Sequence, residues 1–308
     1  MNNPSAPALV SIIVLAYNGQ AYLRVCLEAV CRQDYPNFET IVVDNASRDG
    51  SAVLVRRDFP GVQLVENRRN LGFAGGNNLG MRLARGEIIV LLNHDTVVEP
   101  TWLSELVKAV QSDPAIGIAG CKIYNPDGRT LQHAGGWFLP NGLSNHYGRD
   151  EVDQGQYEQP RPVEYVTGAA LAIRRQVIER CGGLDPGYFP AYFEEADWCL
   201  RARKAGYQVV YAPAARLVHH ESVWSSVTSP RFLYTYHKNR LRFVLKNYTR
   251  AQLAAAVKFE IGWLRRYKPP RVLWLAYLVN LLRLPLTLAA RWRQPNRNFL
   301  FRNERFER

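Results

Sequence analysis

Residues 88–99 read Ile-Ile-Val-Leu-Leu-Asn-His-Asp-Thr-Val-Val-Glu, an apolar run of strand length that ends by delivering Asn93 and Asp95. A strand with no polar position is buried on both faces, as in a parallel sheet covered by helices. Open α/β sheets bind ligands at the carboxyl ends of their strands. A carboxylate at that edge suits a hard, oxygen-preferring cation and a phosphate-bearing substrate. The same residues also suit an ordinary strand end, since Asn and Asp are common in turns. The flanking sequence separates the two readings.

Upstream, apolar strands alternate with amphipathic helices. Strands are expected at 10–16, 40–43, 62–66 and 88–92, and helices at 20–33, 51–59 and 77–84. Leu23, Leu27 and Val30 recur at helical spacing in the first helix, and Pro36 follows its end. Downstream, a helix is expected at 102–111, a strand at 116–123, and an extended loop or hairpin region at 124–163, rich in Gly, Pro, Asn and Asp. A strand at 166–173, helices at 175–181 and 194–205, and a last strand at 209–212 complete the series. The pattern predicts an α/β fold with a mostly parallel sheet flanked by helices.

The 308 residues are 47% apolar and 21% charged, the composition of a folded globular chain. Five cysteines are scattered without CxxC spacing, which argues against a disulfide framework or zinc site and for a reducing compartment. The N-terminus lacks a basic stretch before its first apolar run, so no signal peptide is expected. The net charge of +12 is concentrated in residues 231–308, with 18 Lys/Arg against 3 Asp/Glu. Such a tail points to an anionic surface; the lack of any nucleic-acid-binding motif favours a membrane.

Several polar groups fall just past strand ends: Tyr17-Asn18, Asp44-Asn45, Asn70 with its glycine-rich sequel, and Asn93 with Asp95. In a parallel sheet they converge on one crevice. The segment 70–78, Asn-Leu-Gly-Phe-Ala-Gly-Gly-Asn-Asn, opens a helix whose amides could approach a diphosphate. Its spacing is neither a dinucleotide fingerprint nor a P-loop. Glu194, Glu195 and Asp197 crowd one helix start, behind an aromatic approach, Tyr-Phe-Pro-Ala-Tyr-Phe, at 188–193. Acids are ordinary there, and Asp197 has Arg201 four residues on as a structural partner. Glu194 and Glu195 have no such partner and are candidates for binding or catalysis. Of His219 and His220, neighbours that cannot easily reach one ion together, a single one is expected to bind metal.

The segments 10–18, 41–47, 70–78, 91–96 and 193–201, in that order, resemble the family 2 glycosyltransferases, and within them the rhamnosyltransferase-like branch. The resemblance spans roughly residues 9–246. It implies a GT-A fold, a dTDP- or UDP-sugar donor, a divalent cation (Mg²⁺ or Mn²⁺) and inversion at the anomeric carbon. Carried over by position, Asp44 reads the pyrimidine base, with Ala16 and Asn18 lining the nucleoside pocket. Asn70, Gly75, Asn77 and Asn93 complete the donor site. Asn93 and Asp95 stand at the family's D-x-D position, here N-x-D, with Asp95 and His219 on the metal and His220 the fallback. Glu195 falls where the family has its catalytic base, usually an Asp; Glu194, Gly168 and His220 are candidate substrate contacts. Two other readings remain: a sugar-nucleotide pyrophosphorylase, and a catalytically silent nucleotide-sugar-binding or scaffold protein.

The domain expectation is a catalytic unit at 1–230, with a nucleotide-sugar half at about 1–120 and an acceptor half at about 121–230. A basic, aromatic-rich helical tail at 231–308 follows. Residues 272–290 are apolar apart from a few positions including Asn280 and Arg283, and their longest unbroken run, 272–279, is too short to span a bilayer. An interfacial amphipathic helix fits better, with a helix packed on the catalytic unit as the alternative. The expected location is peripheral, on the cytoplasmic face of the cell membrane, with a glycan or lipid-linked acceptor.

Overall fold

The computed structural model describes residues 6–221, 229–267 and 270–292. The Ser/Trp-rich loop that follows His220 and the basic stretch 293–308 lie outside the described residues. The first half runs β1 (Val10–Ala16), α1 (Gln20–Cys31), β2 (Phe38–Asp44), α2 (Ser51–Asp58), β3 (Gln63–Glu66), α3 (Gly72–Leu83), β4 (Ile88–Asn93), β5 (Thr96–Val98) and α4 (Trp102–Gln111). It continues through β6 (Ile116–Tyr124), β7 (Leu131–His133), β8 (Gly136–Phe138), β9 (Ser144–His146), β10 (Arg161–Pro162), β11 (Ala170–Arg174), α5 (Arg175–Cys181), α6 (Glu194–Lys204) and β12 (Gln208–His219). Four helices close the described chain: α7 (Pro230–Asn247), α8 (Arg250–Tyr267), α9 (Arg271–Leu282) and α10 (Leu284–Trp292).

The main sheet has the order β10-β12-β6-β11-β4-β1-β2-β3, with β5 added to β12 and β7 to β6. β1 pairs in parallel with β2 and β4, which sets Ala16 opposite Asp44 and Leu15 opposite Asn93. Three strand ends therefore share one edge. β11 is inserted antiparallel between β4 and β6, so the sheet is mixed but mostly parallel in its nucleotide half. Alternate residues of β1 feed two cores: Val10, Ile12 and Val14 pack with α1 and α4, Ile13 and Leu15 with α3 and the β11–α6 region. Burial of both faces explains the unbroken apolar strands.

Among the departures from the sequence reading, two bear on the site. The last strand continues past 212 to His219, because a register shift between Ala212 and Arg216 absorbs Pro213. That irregularity carries His219 to the functional edge. The helix expected at 77–84 begins instead at Gly72, within the glycine-rich stretch. A β-carbon on Gly76 would collide with the Leu15 side chain, and one on Gly80 would sit 2.5 Å from Ile13 Cγ2. These glycines let α3 lie close against β1, and packing overrides their poor helix propensity.

The C-terminal helices are fastened to this body. Phe243 and Val244 of α7 and Ala256 of α8 share a small core with Tyr188, Phe193 and Ala196. Lys246 of α7 bonds Asp197 and Asp185, each at 2.8 Å. Leu273, Ala276 and Asn280 of α9 are buried, whereas Trp274, Leu275, Leu278, Leu281 and Leu282 are exposed. No single described helix is long and apolar enough to cross a membrane; α9 and α10 form a pair bent by 62°.

Candidate active site

A cleft of about 530 Å³ opens at the carboxyl edge of the sheet. Its lining includes Tyr17, Asn45, Asn70, Asn93 and Asp95 from the first half of the chain, Thr167, Gly168, Tyr192, Glu194 and Glu195 from the second, and Gln132, His219 and His220.

Asp95 and His219 are both buried, and His219 Nε2 lies 3.2 Å from Asp95 Oδ1. His219 Nδ1 is 2.7 Å from Gln132 Oε1, and Asn93 Nδ2 is 3.5 Å from His219 Nε2. With Nδ1–H donating to Gln132, the Nε2 lone pair faces the Asp95 carboxylate, an arrangement that a cation between them relieves. A carboxylate oxygen suits either Mg²⁺ or Mn²⁺, and the imidazole nitrogen beside it favours the transition ion Mn²⁺. Among the described residues no third His, Cys, Asp or Glu joins them. Two protein ligands leave positions for phosphate oxygens and water, the usual division at phosphate-bearing sites. His220 turns away: its ring meets Tyr22 at 5.1 Å, and its amide donates to the Asp95 carbonyl.

Glu194 and Glu195 open α6 from two residues with left-handed backbones, Tyr192 (φ 81°) and Phe193 (φ 75°). Glu194 is buried, and its Oε2 has no hydrogen-bond partner among the described residues. Burial, then the neighbouring Glu195, raises its carboxyl well above the usual range. Glu195 keeps an edge on the cleft while protein desolvates its other sides. That desolvation raises it to about 7, against the opposing pull of the N–H groups of Glu195, Ala196 and Gly168. Asp197 is wholly buried; desolvation opposes its ionisation, but Lys246 and Arg201 outweigh it and hold the carboxyl far below its usual range. Three acids in four residues thus have three different states.

The nucleotide-side residues divide. Asn70 lines the cleft, where its Oδ1 accepts from Asn45 Nδ2 (2.9 Å) and the Gly72 amide (2.7 Å). Ala16, Asn18 and Asp44 sit at the ends of β1 and β2 beside lining residues but outside the lining itself. Asn18 Oδ1 accepts from the Arg48 amide, and Asp44 Oδ2 from the Ser47 amide, while Asp44 Oδ1 is buried with no hydrogen-bond partner among the described residues. Gly75 and Asn77 lie inside α3, away from the cleft: Gly75 faces Leu71, and Asn77 Nδ2 bonds the Phe73 carbonyl. The amide donors expected of this stretch are in part engaged within the protein. The amides of Leu71, Gly72 and Phe73 are already bonded to Asn45, Asn70 and Pro190.

Residues 11–182 match the family described as Glycosyl transferase family 2, more than half of the chain. The chain belongs to that family. Its fold is GT-A. An uncharacterized protein of Sinorhizobium fredii, y4gI, is 36% identical over 225 residues, covering 70% of this chain and 24% of its own length. The chain thus spans about a quarter of that relative. The N-acetylglucosaminyl-diphospho-decaprenol L-rhamnosyltransferase of Mycobacterium tuberculosis is 25% identical over 261 residues, covering 76% of this chain and 83% of its own. Among solved structures, the mannosyltransferase PcManGT of Pyrobaculum calidifontis, in complex with GDP-Man and Mn²⁺, superposes with a TM-score of 0.56 at 20% identity. That alignment covers 97% of this chain and 86% of the other.

Several cleft residues of this family 2 glycosyltransferase carried no signal in the sequence. Gln132, which orients His219, lies on β7 in the region read as an extended loop or hairpin, and Phe232 reaches the cleft from the first C-terminal helix. His94, flanked by Asn93 and Asp95, has a structural task instead: its ring occupies the space a β-carbon on Gly19 would need, and its Nδ1 meets the Leu15 carbonyl at 3.0 Å.

Proposed function

We propose that this chain is a glycosyltransferase that moves a sugar, rhamnose by the name of the mycobacterial relative, from a dTDP- or UDP-sugar to a hydroxyl of a glycan or lipid-linked acceptor, with inversion. The observation that carries the reading is that Asp95, His219 and Glu195, from three distant parts of the chain, line one cleft. Asp95 and His219 would hold the divalent cation, which when bound supplies Lewis-acid offset of the charge on the departing diphosphate. Asp44 Oδ1, buried with no partner among the described residues, suits the N–H of a pyrimidine base. Glu195 takes the proton from the acceptor hydroxyl, a step worth about 10²–10⁴-fold in rate. Alignment of the hydroxyl between base and anomeric carbon supplies the proximity term.

The acceptor is proposed to be presented at a membrane. Supporting this are the exposed leucines of α9 and α10, the nearby Arg271, Arg283 and Arg291, and the name of the mycobacterial relative, whose acceptor is lipid-linked. Helices α9 and α10 would then lie on the cytoplasmic surface of the bilayer while the cleft faces the donor pool.

The test is a panel of nucleotide sugars with Mn²⁺ or Mg²⁺, read by release of nucleoside diphosphate. Transfer from a dTDP- or UDP-sugar, abolished by Asp95→Ala and by chelation, is the expected result. Glu195→Gln should lose transfer yet bind the nucleotide as the parent does; equal turnover by the two proteins would overturn the assignment of the base.

A further inference from the structure

If Asp95 serves the leaving group and Glu195 the acceptor, the acceptor is received where the cleft lining near Glu195 is aromatic. Tyr192 and Phe232 both line the cleft, their ring centroids 5.2 Å apart at 77°. Tyr236 stacks against Phe232 at 5.6 Å and meets Phe193 at 5.1 Å, so the pair is backed by further rings. The Tyr192 phenol lies close enough to the two carboxylates to feel them: burial raises its pKa first, then the charges of Glu221, Glu194 and Glu195.

The two rings come from separate parts of the chain and are tied together by α7. Ser229 caps this helix, its Oγ accepting from the Phe232 amide at 3.2 Å. About two turns beyond Phe232, the wholly buried Asn239 donates its amide to the carbonyls of Tyr188, Ala191 (2.8 Å) and Tyr192 (3.1 Å), and Lys238 Nζ bonds the Phe189 carbonyl at 2.6 Å. These bonds hold the left-handed backbone at Tyr192 and with it the position of the ring. The platform is pre-formed, which spares a ligand the cost of ordering it.

An aromatic face beside carboxylates suits a ring that is apolar on one side and hydroxylated at its edge. A pyranose is such a ring: its C–H face meets the negative face of the aromatic, and its hydroxyls meet the acids. Glu194 Oε2, buried on the same lining with no partner among the described residues, favours a hydroxyl-bearing ligand over hydrocarbon. We propose that Phe232 and Tyr192 form a stacking subsite for a pyranose ring of the acceptor beside Glu195, so that helix α7 sets acceptor specificity. This deepens the proposed function and rests on its assignment of the acceptor side.

The experiment is saturation-transfer NMR on the full chain with Mn²⁺ and UDP, using hexyl glycosides of glucose, galactose, mannose, N-acetylglucosamine and rhamnose as probes. Irradiating the protein aromatics should saturate the ring C–H protons of at least one glycoside more than its alkyl chain. Phe232→Leu, which keeps apolar bulk but removes the ring face, should weaken that glycoside roughly two- to tenfold, and Phe232→Tyr should keep parental affinity. Saturation confined to the alkyl chain, absence of ring saturation from every probe, or equal affinity of Phe232→Leu and the parent overturns the subsite. The parent's own readout stands even if a variant does not fold. Failure of the underlying function is seen separately, as absence of nucleotide-sugar turnover in the donor panel.

Discussion

Glu194 and Glu195 are neighbours in the chain, and their surroundings give them different work. Glu194 is shut in at 2% exposure, while Glu195 keeps an edge on the cleft. Burial raises both, Glu195 to about 7. As general base Glu195 must be ionised, so kcat/KM should climb with pH through about 7 and level off above it. A profile flat from pH 5.5 to 8 would rule out Glu195 as the titrating base. The linkage to folding has the opposite slope. Because its folded pKa lies above the reference 4.5, the folded chain holds more protons than the unfolded one between about 4.5 and 7, and this contribution to stability is lost as pH rises across that window. Glu195→Gln should therefore raise the melting temperature at pH 8 and change it little at pH 4.5, as differential scanning calorimetry would read.

Helices α3 and α6 show how an element can look functional for a structural reason, and the reverse. The glycines of α3 suggest a phosphate loop, yet Gly76 and Gly80 mark the close approach of the helix to β1. Gly80→Val should cost about 1–3 kcal/mol by overpacking against Ile13 and Val43, measured by urea denaturation. In α6 the Asp197–Arg201 spacing indicates a structural pair, and the two meet at 2.7 Å. What the spacing omits is Lys246, which joins the same carboxylate from α7 at 2.8 Å, with Asn247 Nδ2 also at 2.8 Å. Asp197→Ala takes away the carboxylate that Arg201 pairs with and leaves Lys246 with Asp185 alone, and should destabilise the protein by about 3–5 kcal/mol, again by denaturation. The loss should weaken the coupling of α6 to the C-terminal extension and lower the cooperativity of the melting transition.

Viewed as a single body, the molecule has a ligand cleft at one sheet edge and an apolar, arginine-flanked surface on its C-terminal helices, and α7 belongs to both. Its Phe232 end lines the cleft, while its flank packs on α9, where Asn280 Nδ2 bonds the Lys238 carbonyl at 2.9 Å. On the other side of α9, Leu278, Leu281 and Leu282 are 51%, 67% and 72% exposed, a contiguous display that soluble surfaces seldom carry without a partner. Replacing the three by Ser should sharply reduce co-flotation with phosphatidylglycerol vesicles without lowering the melting temperature. Unchanged flotation would detach this surface from the membrane.

The strand–helix alternation of residues 10–111 was readable directly, because burial on both faces forces unbroken apolar strands and because helices advertise their period in Leu23, Leu27 and Val30. Asn93 and Asp95 were readable for the same reason: polar residues directly after a buried strand have few other places to be. Tertiary structure alone decided which of these groups meet. Gln132 finds His219 across 87 residues, and Phe232 finds Tyr192 through a helix that composition marked only as basic and aromatic. Local periodicity reports which face of an element is buried, since that depends on neighbours along the chain. Side-chain convergence depends on strand order, on the shift that lets β12 continue past Pro213, and on helix docking, none of which leaves a periodic trace.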